Sequence, residues 1–146
     1  MAYWLHCDYE NKRIKESRTS WEYTKQKDGK KRANISNLRE GDKVIFVKDL
    51  QAYADGVIDS INLKYNKIRP YKVDYENIII WKRKIDLGSR EVKHFLANVP
   101  FSYSKYGTFI KDETIDKSSM TLRLRRTINR INKDIFDELK RRSKWL

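Results

Sequence analysis

A tryptophan in a polar and basic segment is the first residue whose type indicates chemistry. The neighbours of Trp21 in the sequence are polar: Thr19, Ser20, Glu22 and Thr24. A protein that inspects one base must remove it from the stack, at a cost of about a few kcal/mol. Stacking the extruded base on an aromatic side chain returns roughly 1–3 kcal/mol. Trp21 is therefore a candidate wall of a base pocket. The alternative is that Trp21 fills the core, since tryptophans are highly buried on average.

Phosphate binding is the second chemistry that the residue types indicate. The chain has 33 Lys and Arg against 20 Asp and Glu, a formal net charge of +13. Two segments hold nearly all the surplus, with 11 basic and 5 acidic residues in 12–43, and 9 basic and 3 acidic residues in 121–146. Clustered cations attract phosphates by releasing counterions. The predicted phosphate-binding residues are Lys30, Lys31, Arg32, Arg123, Arg125, Arg126 and Arg130.

Alternation along an extended segment would place Arg123 and Arg125 on the same face. A solvated, thermophile-like surface is the alternative explanation of the charge, although that enrichment normally adds Glu along with Lys. An anionic membrane surface is a weaker option, because no basic amphipathic helix with an aromatic face is evident. The charge therefore favours nucleic acid as the partner.

Residues for catalysis are few. His6 and His94 are the only histidines, and neither lies in a metal-ligand motif. Cys7 follows His6 on a predicted strand, so the two side chains point to opposite faces. We predict no catalytic residue, no metal and no cofactor. The enzymatic alternative is a metal-dependent nuclease that uses the loop carboxylates Asp112, Glu113 and Asp116.

The chain around these residues has the size and composition of one domain, residues 1–146. Hydrophobic residues make up 39% and aromatic residues 12%, enough for one core. A single cysteine excludes a disulfide framework, and we find neither a signal peptide nor an apolar run long enough for a membrane span. We therefore expect a cytoplasmic protein.

Hydrophobic patterning predicts an α+β domain with a small barrel-like sheet. Gly56 predicts a bulge or a close backbone approach, Ser89 and Asn132 are expected to cap helices, and Ile131 is expected to pack on Phe136 as a hydrophobic staple. The expected elements are strands at Tyr3–Asp8, Lys43–Lys48, Ala54–Tyr65 and Tyr75–Ile85, a structured loop with a short helix within 10–40, a helix from Ser89 through Ala97, an extended segment at Thr121–Ile131, and a closing helix at Ile131–Leu139.

Four short motifs together resemble the EVE and YTH domains of the PUA-like superfamily. They are the strand opening Tyr3-Trp4-Leu5, the turn and strand Leu38-Arg39-Glu40-Gly41-Asp42-Lys43-Val44-Ile45-Phe46, the segment Gly56-Val57-Ile58-Asp59-Ser60, and the strand Ile78-Ile79-Ile80-Trp81. The closing helix is similar as well. The resemblance covers most of the chain except residues 98–120.

This resemblance implies a curved sheet closed into a small β-barrel and flanked by short helices. YTH domains bind RNA that contains N6-methyladenine, EVE-like domains hold modified DNA bases, and related prokaryotic domains stand at the front of modification-dependent restriction proteins. By this resemblance Trp21 is the first wall of the base pocket and Tyr65 or Tyr71 the second, where this chain has no tryptophan. The other expected pocket residues are Ser20, Tyr23, Thr24 and Asn34, and Tyr103 in the later aromatic loop is a candidate to stack on a flanking base.

The sequence thus predicts a nucleic-acid-binding module that flips and holds a methylated adenine or cytosine. Its expected partner is modified DNA or RNA, and a motor or nuclease domain is expected to be fused to it or to act with it. Two alternatives stay open at this point. One is a PUA-like nuclease, and the other is a basic module that binds nucleic acid without a base pocket.

Overall fold

The computed structural model describes residues 1–8, 13–25, 34–98, 115–116, 121–122, 124 and 127–145. Six strands form one sheet in the order β2-β5-β4-β3-β1-β8, and β6 and β7 pair separately. The strands are β1 (Tyr3–Asp8), β2 (Ser20–Tyr23), β3 (Lys43–Lys48), β4 (Gln51–Asn62), β5 (Tyr71–Asp86), β6 (Ile115–Asp116), β7 (Thr121–Leu122) and β8 (Ile128–Ile131). The helices are α1 (Arg90–Asn98) and α2 (Lys133–Arg142), with a short 3-10 helix at Ile35–Asn37.

The sheet curls into a half-barrel. The ring of His6 on β1 lies 4.8 Å from the ring of Trp21 on β2, although three strands separate β1 from β2 in the sheet. Register shifts in the β4–β5 pairing are one source of this curvature, because bulges bend and twist a strand. At Gly56 an added Cβ would lie 3.2 Å from the Ile78 side chain and 3.3 Å from the Glu76 carbonyl, which confirms the predicted close approach. The expectation of a small α+β barrel agrees with this architecture.

Alternation along the strands gives the sheet two apolar faces. On β1, Trp4 and His6 point to the concave face, while Leu5 and Cys7 pack on the side of the helices. The concave core includes Trp4, Trp21, Phe46, Tyr53, Ile58, Tyr71 and Tyr75. The core under the helices includes Leu5, Ile45, Trp81, Val92, Phe95, Ile135 and Leu139. The concave face is thus the aromatic one.

The turn before β3 is built around one buried carboxylate. Asp42 is 3% exposed and accepts hydrogen bonds from the Ala2 backbone N–H, the Trp4 indole N–H and the Arg39 backbone N–H, each at 3.0 Å. Gly41 beside it has φ of +87°, a conformation that favours glycine. Because Asp42 fixes Trp4 and the start of the chain, this Gly-Asp pair determines where β1 lies against β3.

The predicted helix caps are confirmed. The Asn132 side chain accepts a hydrogen bond from the Ile135 N–H at 2.9 Å, and the Ser89 hydroxyl accepts one from the Val92 N–H at 3.4 Å. Ile131 and Phe136 lie in the same core, as expected for the staple. A partly buried ion pair then fixes α2 to the sheet, because Asp55 accepts from the Lys140 ammonium at 3.2 Å and from the Trp81 indole at 2.7 Å.

Two parts of the predicted organisation differ from the structure. The segment 10–40 contains not only the short helical turn but also β2, which pairs with β5. β2 has four residues, so its alternation is too short to recognise without its partner strand. The predicted strands at 54–65 and 75–85 are displaced at their ends, since β4 spans Gln51–Asn62 and β5 spans Tyr71–Asp86.

Candidate functional site

The concave face holds a histidine surrounded by four aromatic rings, which we call the aromatic box. The centroid of the His6 ring lies 4.8 Å from Trp21, 5.7 Å from Tyr23, 5.6 Å from Phe46 and 6.5 Å from Tyr75. All four contacts are edge-to-face, the arrangement that the aromatic quadrupole favours. The box is the largest concentration of rings around one polar side chain in the described part of the chain.

Strand pairing positions each member of the box. Trp21 and Tyr23 point inward from β2, whose register with β5 sets Trp21 opposite Val73. Phe46 lies beside His6 because β1 and β3 are parallel and these two residues are register partners. The hydroxyls of Tyr23 and Tyr75 are 3.0 Å apart and hydrogen-bonded, so the phenols are satisfied within the box.

His6 is the polar group in the box that has no such partner. Its side chain is 1% exposed, and neither ring nitrogen makes a hydrogen bond to any residue that the structure describes. Burial lowers the pKa of His6 to about 3, so the ring is neutral and carries one donor nitrogen and one acceptor nitrogen. A buried polar group left unpaired costs about 1–3 kcal/mol, and such groups call for a functional explanation.

One face of Trp21 is covered by a cation. The guanidinium of Arg18 lies 4.9 Å from the centre of the Trp21 ring. Arg18 belongs to a tight turn closed by two backbone hydrogen bonds with Lys15, of 3.0 and 3.1 Å. Trp21 is only 3% exposed, whereas the wall of an open base pocket would be accessible. The ring is covered because β2 pairs with β5 and turns it inward, so a base would reach it by displacing Arg18.

The predicted pocket residues fall into separate groups. Trp21, Tyr23 and Tyr71 share the concave core. Ser20 and Thr24 are half-buried, and Ser20 alternates with Trp21 along β2 and therefore faces the other way.

Two further predicted pocket residues lie outside the box. Asn34 donates from its side-chain amide to the Ile128 carbonyl at 2.9 Å, which connects the turn before the 3-10 helix to β8. Tyr65 is 40% exposed at the end of the β4–β5 hairpin, with the Lys72 ammonium 4.8 Å from its ring. Tyr103 lies outside the described residues.

Of the predicted phosphate-binding residues, Arg130 can be located. It is exposed on β8, with its guanidinium 6.0 Å from the Trp4 ring. Lys30, Lys31, Arg32, Arg123, Arg125 and Arg126 lie outside the described residues. Arg13 and Arg18 also lie next to the concave core, with Arg13 5.5 Å from the Tyr53 ring.

Sequence reasoning missed His6, Phe46 and Tyr75 as members of the site. His6 stands in no metal-ligand motif and was therefore not predicted to belong to the site. Its neighbours in the box come from β2, β3 and β5, so no local spacing could have found it. The sequence signal that could have identified His6 is its place as a polar residue at an inward-facing position of the buried strand β1.

Among the described residues, no group of three or more His, Cys, Asp or Glu side chains is placed to hold a metal ion. Asp112 and Glu113 of the nuclease alternative lie outside them, and the Asp116 side chain is not described. No helix in the described ranges is both long and apolar enough to cross a membrane.

Comparison with known proteins gives a fold neighbour. No protein-family model and no curated protein matches the chain. Among solved structures, the chain is similar to protein Atu2648 from Agrobacterium tumefaciens, a structural genomics target, with 14% identity and a TM-score of 0.58. The similarity covers 99% of this chain and 94% of that one. At this identity the likeness concerns the fold alone, and it fits a small β-barrel with a curled sheet.

Proposed function

We propose that this chain is a PUA-like nucleic-acid-binding domain of the EVE/YTH type that holds one flipped, modified base in the aromatic box. The observation that carries the proposal is His6, a neutral imidazole that is enclosed by aromatic rings and whose two nitrogens have no hydrogen-bond partner among the described residues. A nucleobase has π faces that stack and an edge that donates and accepts hydrogen bonds. The box supplies both kinds of partner in one place.

For a base that has already been extruded, replacing Arg18 on the Trp21 ring is favourable. A cation–π contact at a partly exposed site contributes about 0.5–1 kcal/mol. A stacked base contributes roughly 1–3 kcal/mol, and a new hydrogen bond to His6 removes the cost of an unpaired buried group. A base N-methyl group adds an apolar, slightly electron-poor patch that suits an indole face. The displaced Arg18 then becomes available to a phosphate.

The charge of the chain supports the same partner. A net charge of +13 attracts nucleic acid and predicts affinity that falls steeply with salt. In this proposal the domain acts in the cytoplasm together with a motor or nuclease domain, as the resemblance to restriction-associated domains implies.

The test is equilibrium binding of the full chain to fluorescent oligonucleotides. The probes are matched DNA and RNA strands and duplexes with one N6-methyladenine, one 5-methylcytosine, one 5-hydroxymethylcytosine or no modification. We expect one modified probe to bind about tenfold tighter than its plain match. This ratio should persist from about 50 to about 200 mM salt while both affinities fall, because phosphate contacts are common to both probes.

Two outcomes would contradict the proposal. Equal affinity for every modified probe and its plain match would identify a basic module without a base pocket. Cleavage of a probe in the presence of magnesium, abolished by a chelator, would identify the nuclease alternative.

A further inference from the structure

The β4–β5 hairpin ends in an exposed loop, residues 63–70, which we call the hairpin tip. Ile68 is 81% exposed there, Tyr65 40% and Leu63 37%. A β-branched apolar side chain so exposed gains nothing from the fold itself. Single exposed apolar residues are common, but here three occur within one short loop outside the aromatic box.

The hairpin tip is an ordered loop. The Asn62 side chain accepts from the Lys64 N–H at 2.8 Å, and the Asn66 side chain accepts from the Arg69 N–H at 2.6 Å. A backbone bond from the Tyr65 N–H to the Pro70 carbonyl, at 2.8 Å, closes the loop. Its exposed side chains are therefore presented on a preorganised turn, which lowers the entropic cost of binding.

The charge of the tip identifies the kind of surface it fits. The hairpin tip has three cations and no acidic residue, Lys64, Lys67 and Arg69. Lysine and arginine side chains on both sides of Ile68 match the phosphates that flank one position in a nucleic acid strand. Apolar side chains inserted between base steps are the known means by which proteins unstack a duplex.

The tip is also close to the aromatic box. It leads directly into β5, where Tyr71 pairs with Tyr23, and Val73 pairs with Trp21. Val73 is the fifth residue after Ile68, so their Cα atoms are at most about 18 Å apart. A protein element at this distance can contact the same duplex region whose extruded base lies in the box.

We propose that the hairpin tip enters the duplex beside the inspected base and that Ile68 fills the space which the flipped base leaves. Lys64, Lys67 and Arg69 contact the flanking phosphates. This inference rests on the proposed function, since it assumes that a base is extruded toward the box. In this proposal, contacts made by the hairpin tip help to offset the free-energy cost of extruding the base. Without them, contacts in the aromatic box would have to offset this cost alone.

The experiment compares Ile68→Ser with wild type on three DNA probes. They are a duplex with a central N6-methyladenine, the same modified strand without its complement, and the plain duplex. Ile79→Ser is the matched control, because Ile79 is 51% exposed on β5 outside the tip. We expect Ile68→Ser to lose about tenfold affinity for the modified duplex and less than about twofold for the modified single strand, which has no stack gap to fill.

The outcomes separate this inference from the proposed function. If wild type prefers the modified duplex and Ile68→Ser binds it as tightly as wild type does, the proposed role of Ile68 is wrong. Base binding in the aromatic box is then unaffected. If wild type shows no preference for the modified duplex, the proposed function itself fails for this base. Equal losses of affinity for duplex and single strand in Ile68→Ser would also contradict the insertion of Ile68. A second contradicting result is that the protein binds vesicles of phosphatidylcholine and phosphatidylserine, and that Ile68→Ser abolishes this binding without changing duplex affinity.

Discussion

Replacing Trp21 with leucine is expected to abolish the preference for the modified base and to leave most of the salt-sensitive affinity for plain nucleic acid. Leucine preserves apolar bulk in the concave core but has no π face. Loss of one stacked ring removes about 1–3 kcal/mol from the modified complex, equivalent to about 5- to 150-fold in affinity. Plain probes depend on phosphate contacts and should change by less than about twofold. The measurement is fluorescence anisotropy with a matched pair of modified and plain probes.

The substitution also costs stability, because Trp21 is buried. Large-to-small changes in a core destabilise by about 2–5 kcal/mol, so the variant must first be shown to be folded by urea unfolding. Trp81→Leu is the matched control, since Trp81 is 5% exposed in the core under the helices. It should lose comparable stability and keep the preference. A Trp21→Leu variant that retains the full preference for the modified base would contradict base binding in the aromatic box.

Lowering the pH from about 7.5 to about 5 is expected to remove about 2 kcal/mol of unfolding free energy through His6 alone. The pKa of His6 is about 3 in the fold against 6.5 in the unfolded chain. The unfolded state therefore binds the proton first, and stability that is fully present above pH 6.5 is lost progressively as the pH falls toward 3. The measurement is urea unfolding at several pH values, with His6→Leu expected to remove this part of the slope.

The pH window is chosen so that other groups contribute little. The carboxyls of Glu91 and Glu138 have pKa values lowered by hydrogen bonds from Arg83 and Arg141, respectively, so their protonation affects stability mainly below pH 4.5. Burial raises the pKa of the Tyr75 phenol, which stays neutral throughout. A slope that His6→Leu leaves unchanged would show that His6 is not buried as a neutral group.

The parts of the fold that could be predicted from sequence are those with a strong local signal. The predicted bounds of β1 and β3, Tyr3–Asp8 and Lys43–Lys48, are confirmed, since β3 is an apolar run between two lysines and β1 is apolar apart from His6 and the terminal Asp8. Asn132 and Ser89 have the cap chemistry that starts a helix, and both helices follow them. β2 could not be recognised, because four residues carry too little periodicity and their pairing with β5 is a tertiary contact.

In the candidate site, too, features with a local sequence signal could be predicted, whereas features that depend on tertiary contacts could not. Trp21 was recognisable because its neighbours are polar, but its burial depends on the curl of the sheet, which brings β2 to β1. His6 could not be identified from sequence as the polar centre of an aromatic box. Tyr65 was assigned to the pocket by resemblance, yet β4 ends at Asn62, which leaves Tyr65 in the hairpin tip. The roles of Tyr65 and Tyr71 in base binding stay predictions.

The most direct measurement of the central claim is the nitrogen NMR spectrum of the histidine rings in the presence and absence of a modified oligonucleotide. The chain has two histidines, so buried His6 and exposed His94 give two distinguishable sets of signals. If a base edge bonds to His6 in the box, the modified strand shifts the His6 ring nitrogens, the plain strand leaves them nearly unchanged, and His94 responds alike to both. Ring nitrogens of His6 that stay unshifted when the modified strand is saturating would contradict the account.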